Sequence, residues 1–239
     1  MGHLLRMQRL LTPGRKSLIV AMDQPRAIYS GALADPTVVL DNLQPADVDG
    51  YLITLATARH AERHLAGRPI VVSVSQDFDD PQAVVEQSVA FGATAVKYEV
   101  YPYSDREKQT MHGLEALAVH ASRWGMPVMA EVVPGGFDEV SLHTSTNLRD
   151  SVRRAAEAGA DLAKIPLPSQ GELGEVTEYA SVPVLLLGGA RTGGLDEVLA
   201  RVRQFAPFVS GLVFGRYVVE DPKPAMVVAA LREALDSVN

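Results

Sequence analysis

The 239-residue chain contains no cysteine. Disulfides, thiolate nucleophiles and Cys-ligated metals are thereby excluded. No apolar run reaches membrane-spanning length, and arginines interrupt the patchy apolar start "MGHLLRMQRLL", which no small-residue cleavage site follows. That start reads as a short amphipathic helix, and the chain is expected in the cytoplasm with no membrane partner. A formal net charge of −7 without a basic tract argues against nucleic acid as a partner. Nucleotide motifs are missing as well. "AMDQPRAIYSG" stands where a doubly wound fold would carry G-x-G-x-x-G, and no Gly-Lys-Ser/Thr follows the later glycine pairs. Lysine is scarce, five residues against seventeen arginines.

What is present is a regular alternation. Short aliphatic runs at 17–23, 49–54, 69–75, 93–100, 127–133, 161–167, 183–189 and 211–216 have strand character. Between them lie segments of helical pattern such as "DPQAVVEQSVAFG", "REKQTMHGLEALAVHASRWG", "NLRDSVRRAAEAG" and "GLDEVLARVRQFA". Several end in glycine just before the next strand, as helix stops do. Proline stands at 69, 127 and 183, where it opens a strand without removing a ladder bond. Eight β-α units without a linker predict one (β/α)8 barrel over 1–239, preceded by a capping helix. An open doubly wound sheet is the alternative.

Two of the five lysines fall inside strand runs, in "GATAVKYEV" (Lys97) and "GADLAKIPLP" (Lys164). Alternation along a barrel strand puts Lys164 in phase with Leu162, and Lys97 with Ala95 and Glu99. Glu131 is in phase with Met129 and Val133, Asp23 with Ile19 and Ala21, and Ser73 with Ser75. Each polar residue lies late in its strand, toward the end of a barrel where reactive groups gather. Buried ammonium groups there must be paired or neutralised, with Asp23, Glu99 and Glu131 as the counter-charges at hand. A purely structural ion network is the plain alternative. Unlike arginine, a desolvated lysine can lose its proton and become a nucleophile. A lysine facing a small carbonyl compound suggests a Schiff base, with a neighbouring carboxyl group shuttling protons. A second ammonium nearby would depress the first by like-charge repulsion. Lys164, Glu131 and Lys97 supply that set.

The seventh and eighth strands close on "LLLGGARTGG" and "GLVFGRYVVEDP". Loops at these positions of a barrel bind phosphate through backbone N–H groups. Gly188 and Gly189 would let the backbone approach an anion, Arg216 would add a bidentate contact, and Arg191 is a weaker candidate in the same loop. Gly215, Gln24 and Ser73 complete the expected substrate-contacting set. "HAERH" at 60–64 is discounted as a metal site because its glutamate is misplaced and Arg59 and Arg63 mark a solvated face. No metal and no cofactor is expected. His112 and His120 read as surface residues, His143 as a loop residue near the mouth, and Trp124 and the methionines as core or cap packing.

These residues resemble a known family, the class I aldolases of the DeoC/LacD and DhnA type. "AMDQ", "AVKYEVYPYSD", "GMPVMAEVVP", "GADLAKIP", "VLLLGG" and "GLVFGR" carry the resemblance over most of the chain. "AVKxxVY" followed by "GMPVMAE" is most similar to the tagatose-bisphosphate and sulfofructose-phosphate aldolase branch. The resemblance implies a Schiff base on Lys164, Glu131 as acid/base, Lys97 and Asp23 in support, and a phosphate held by the glycine and Arg216 loops. It implies cleavage or formation of a C–C bond in a phosphorylated ketose or related hydroxyketone, by an enzyme expected to form homo-oligomers. Alternatives are a Schiff-base transferase, thiolase or synthase, and a sugar-phosphate-binding regulator that has lost turnover. Three departures stand out. Val133 falls where another branch places a proton-transferring tyrosine. Glu99 replaces an apolar residue and points to a substrate unlike the standard sugar phosphates. "GRY" stands for the usual "GRN".

Overall fold

The computed structural model describes residues 2–24, 30–65, 67–189 and 193–237. Its centre is a closed barrel of parallel strands in chain order: β1 (Ser17–Ala21), β2 (Gly50–Thr54), β3 (Ile70–Ser73), β4 (Ala95–Val100), β5 (Val128–Val132), β6 (Leu162–Ile165), β7 (Val184–Leu187) and β8 (Gly211–Phe214). β8 returns to β1 through Ser17↔Gly211 and the pairs beyond it. All eight expected strands form, each trimmed at one end or both. The ladder outlasts some of them: Met22 N–H still donates to the Leu52 carbonyl at 2.7 Å and Val74 N–H to the Lys97 carbonyl at 2.8 Å. The barrel expected from the alternation is therefore the observed fold, and the open sheet is not.

Helices form where the sequence supplies both an apolar stripe and a start signal. The side chain of Asp80 caps α5 (Pro81–Phe91) by accepting from Ala83 N–H at 3.0 Å, with proline at the first helical position. Thr144 caps α7 (Ser145–Glu157) in the same way through Asn147 N–H. α5 stops at Gly92, whose φ of 86° lies in the left-handed region that side-chain-bearing residues avoid. The remaining helices are α1 (Gly2–Leu10), α2 (Pro36–Leu43), α3 (Leu55–His60), α4 (Glu62–Leu65), α6 (Glu107–Arg123), α8 (Leu173–Thr177), α9 (Leu195–Phe205), α10 (Arg216–Val219) and α11 (Pro224–Asp236). Among the described residues no helix is long and apolar enough to cross a membrane.

Two apolar layers result. Outward strand residues such as Leu18, Val20, Val96, Ala130 and Ile165 pack against the helices. Inward residues Ile19, Ala21, Leu52, Val71, Ala95, Met129, Leu162, Leu185 and Val213 fill the barrel itself. Leu10, from the end of α1, belongs to the inner cluster, and Met7 and Leu11 pack beside it. The amphipathic start of the chain is thus the plug of the barrel's N-terminal end. Arg232 and Asp49 tie the same end together: Arg232 Nη1 donates to the Lys16 carbonyl at 2.7 Å, and its other terminal nitrogen pairs with Asp49. With the lower interior filled by aliphatic side chains, space for chemistry is left at the opposite end.

Trp124 corrects one expectation. It is 47% exposed, and its carbonyl accepts from Arg6 Nη1 at 3.4 Å. Met226 is likewise exposed rather than packed. The period of a helix end does not fix which way its last residue turns.

Candidate active site

The inward parity that carries Ala95, Met129 and Leu162 into the barrel carries Lys97, Glu131 and Lys164 one step further up. Register makes them neighbours, since Glu131 lies beside Lys164 across one ladder and beside Glu99 across the other, and Lys97 lies beside Ser73. The side chains meet. Lys164 Nζ is 2.6 Å from Glu131 Oε1, and Lys97 Nζ is 2.7 Å from Glu131 Oε2. Glu131 is therefore a bridge between two ammonium groups. Lys97 also pairs with Asp23 Oδ2 at 3.1 Å and with Glu99 Oε1 at 2.6 Å. Ser73 hydrogen-bonds to Asp23. Lys97 is only 1% exposed, Glu131 3% and Lys164 5%.

The electrostatics follow from this packing. Burial pulls the Lys97 ammonium down, but Asp23, Glu131 and Glu99 outweigh it and hold the ammonium well above its ordinary value. Burial would raise Asp23, yet Lys97 and Lys164, with the hydrogen bond from Ser73, hold its carboxyl far below the usual range. Glu99 is depressed in the same sense, against burial, by Lys97 and by hydrogen bonds from Lys97 and Tyr101. Lys97 is thus held as an ammonium, with Glu131 standing between it and Lys164. Both depressed carboxyls favour the native state above their ordinary values of 3.8 and 4.5, and that contribution is lost as pH falls through their lower native values. The stabilisation of Lys97 is complete below 10.5 and is lost as pH rises from there through its raised native value. Thermal unfolding followed from pH 7 down to pH 3, roughly the span in which unfolded carboxylates take up protons, should show a falling melting temperature. Lys97→Met should flatten that acid limb.

The expected anion end lies where β7 and β8 stop. Gly189 has a φ of 66°, a left-handed turn just past β7. A Cβ on Gly215 would fall 1.9 Å from Gln24 Nε2 and 3.1 Å from the Ala21 carbonyl, so a side chain there would displace the Gln24 amide. Gln24 Nε2 donates to that carbonyl at 3.0 Å, while its Oε1 is buried with no hydrogen-bond partner among the described residues. Among the described residues the Arg216 guanidinium makes no hydrogen bond or ion pair. Gly194 precedes α9 without a side-chain cap, and the first turn of that helix carries Asp196 and Glu197. Gly188 packs against the ring of Phe214. Arg191 lies outside the described residues.

Other candidates go elsewhere. His64 Nδ1 contacts Asp41 at 2.6 Å, and Arg59, His60 and Arg63 are exposed, which makes "HAERH" a surface face. His143 is buried and fastens loops: its Nε2 meets the Gly136 carbonyl at 3.0 Å, and its own carbonyl accepts from Ser169 N–H at 2.7 Å. Two mouth residues escaped the sequence reading. Tyr101 Oη donates to Glu99 Oε2 at 2.8 Å, and Gln76 Nε2 reaches the same oxygen at 3.4 Å. Extending the strand parity of Lys97 and Glu99 by two residues would have found Tyr101.

A closed (β/α)8 barrel with a bridged lysine–glutamate–lysine set at its mouth defines a class of lysine-bearing barrel enzymes. The family model for DeoC/LacD family aldolases matches residues 17–220, and the chain belongs to that family of Schiff-base carbon–carbon lyases. The chain is 29% identical over 97% of its length to the 2-amino-4,5-dihydroxy-6-oxo-7-(phosphonooxy)heptanoate synthase of Streptomyces griseus, of which 89% is covered. It is 27% identical to the 2-amino-3,7-dideoxy-D-threo-hept-6-ulosonate synthase of Halobacterium salinarum, covering 96% of this chain and 90% of that one. A solved Schiff-base-forming fructose-1,6-bisphosphate aldolase superposes with a TM-score of 0.82 at 24% identity, over 98% of this chain and 99% of that one.

Proposed function

We propose that the protein makes or breaks a C–C bond in a phosphorylated ketose or related hydroxyketone through an imine on Lys164. The observation that carries this is the Glu131 bridge, with one carboxylate oxygen 2.6 Å from Lys164 Nζ and the other 2.7 Å from Lys97 Nζ. Lys164 transfers a proton to Glu131 and its amine adds to the ketone carbon, giving a carbinolamine. Glu131 returns the proton to the hydroxyl, water leaves, and a protonated imine remains. The iminium nitrogen takes the electron pair of the breaking C–C bond while the substrate hydroxyl gives its proton to Glu131. An aldehyde departs, and Glu131 protonates the enamine carbon before water releases the ketone. One carboxyl group therefore handles each proton in turn, and Lys97, fixed as a cation, holds it in place. Asp23 and Ser73 hold Lys97.

The substrate phosphate is assigned to Gly188, Gly189, Gly215 and Arg216, with Arg191 and Gln24 in support. The Arg216 guanidinium, which makes no hydrogen bond or ion pair among the described residues, favours this. The Streptomyces and Halobacterium relatives are named as synthases, and the phosphorylated oxo chain in the first name supports a phosphorylated carbonyl ligand here. Those names also favour a second reading, the same imine run in the joining direction.

Because the iminium is the electron sink, turnover needs no divalent metal. Aldehyde release from a ketose 1-phosphate should proceed undiminished in EDTA. It should be abolished by borohydride only when the ketose is present. Loss of activity to the chelator would overturn the reading.

A further inference from the structure

Glu99 helps to hold Lys97 but takes no proton in the imine chemistry. It occupies the last inward position of β4, and its side chain is 27% exposed, against 14% for Asp23 and 5% for Glu131. It is therefore the carboxylate that faces the mouth. Its Oε2 is held by Tyr101 Oη at 2.8 Å and by Gln76 Nε2 at 3.4 Å, while Oε1 meets only Lys97 among the described residues. An ionised carboxylate offers about four acceptor positions, so Oε1 has one left. Tyr101 Oη, which donates to Glu99, keeps acceptor capacity of its own. Arg106 is engaged on the outer side, by the Gln76 amide oxygen and by the Tyr101 ring 5.2 Å from its guanidinium carbon.

Charge and topology then combine. The cluster holds three carboxylates, Asp23, Glu99 and Glu131, against two ammonium groups, Lys97 and Lys164, leaving one negative charge in surplus. Strand order around the closed barrel puts β4 across from β8. A ligand anchored by its phosphate at the ends of β7 and β8, with its carbonyl over Lys164 on β6, sends its far end toward β4. We propose that Glu99, with Tyr101 beside it, is a specificity-determining site for a protonated amine on the aldehyde half of the substrate. An ammonium there donates to Glu99 Oε1 and Tyr101 Oη and cancels the surplus charge. A second phosphate at that end is repelled.

This inference rests on the aldolase reading, and its test separates the two. Dihydroxyacetone phosphate is supplied as donor with aldehydes of one chain length whose far end bears an amine, a hydroxyl or a phosphate. The wild-type enzyme should favour the amine over the hydroxyl in kcat/KM by about 10-fold or more, the range of a charge-assisted hydrogen bond, with the phosphate poorest. Glu99→Gln should erase that ratio chiefly through KM for the amino aldehyde. Because the ratio is taken within one variant, any general loss from disturbing Lys97 cancels. Borohydride trapping of dihydroxyacetone phosphate alone reports the imine. Absence of trapping defeats the aldolase reading. Trapping with the hydroxy or phospho aldehyde used as well as the amine, or an unchanged ratio in Glu99→Gln, overturns the assignment of Glu99.

Discussion

Replacing Lys164 by alanine is expected to lower turnover of a ketose phosphate by at least about 10⁴-fold, the scale on which loss of a covalent nucleophile registers. The amine is the atom that bonds to substrate, and no nearby group substitutes for it. Lys97 lies in the same cluster, but three carboxylates hold it as an ammonium. A protonated amine has no lone pair to add to a carbonyl. The variant should still fold, because Glu131 keeps Lys97 at 2.7 Å as counter-charge. Steady-state kinetics with a matched unfolding curve check both halves. A residual rate within about 10-fold of wild type, far short of what loss of a nucleophile costs, would place the covalent chemistry elsewhere.

Lys97→Met should damage the fold as well as the reaction. It removes the cation common to Asp23, Glu99 and Glu131, leaving three carboxylates to face one another with Lys164 alone to balance them. Removing one partner from a buried charged set typically costs about 3–5 kcal/mol. For a chain of this size that is a fall in melting temperature of roughly 10 °C. Part of the penalty is recoverable by acid, because carboxylates deprived of their cation take up protons more readily. The deficit against wild type should therefore be larger at pH 8 than at pH 5, values chosen to straddle roughly the range in which the freed carboxylates would titrate. Activity should fall too, since Glu131 would be held by Lys164 alone. A melting temperature equal to wild type at both values would mean that the network is not what holds this end of the barrel together.

Much of this was legible in the sequence for a definite reason. Apolar runs with period two announce barrel strands, and a charged residue interrupting such a run is conspicuous because burying it is costly. Lys97, Glu131 and Lys164 stand out on that ground, and parity places them inward. The meeting of Glu131 with both lysines is not contained in any one strand; it comes from the ladder registers Glu99↔Glu131 and Glu131↔Lys164. Likewise, parity alone leaves open which carboxylate would neutralise Lys97, and the closed barrel supplies three. Tyr101 and Gln76 were overlooked because each lies past the end of its strand; the parity of β4, carried two residues further, reaches Tyr101, but nothing in β3 points to Gln76. The direction of Trp124 was illegible for the same reason, at the end of a helix rather than a strand. His143 showed only as a loop residue, and its role as a fastener between two loops depends on the carbonyl of Gly136 and the amide of Ser169 being brought to it by the fold.

Everything turns on whether the β6 amine is the atom that bonds to a ketone. Borohydride is added to the protein with dihydroxyacetone phosphate, and the digested peptides are weighed. The peptide containing Lys164 should gain the mass of the reduced adduct, irreversibly and only when both reagents are present. A gain on the peptide containing Lys97, or on none, would contradict it.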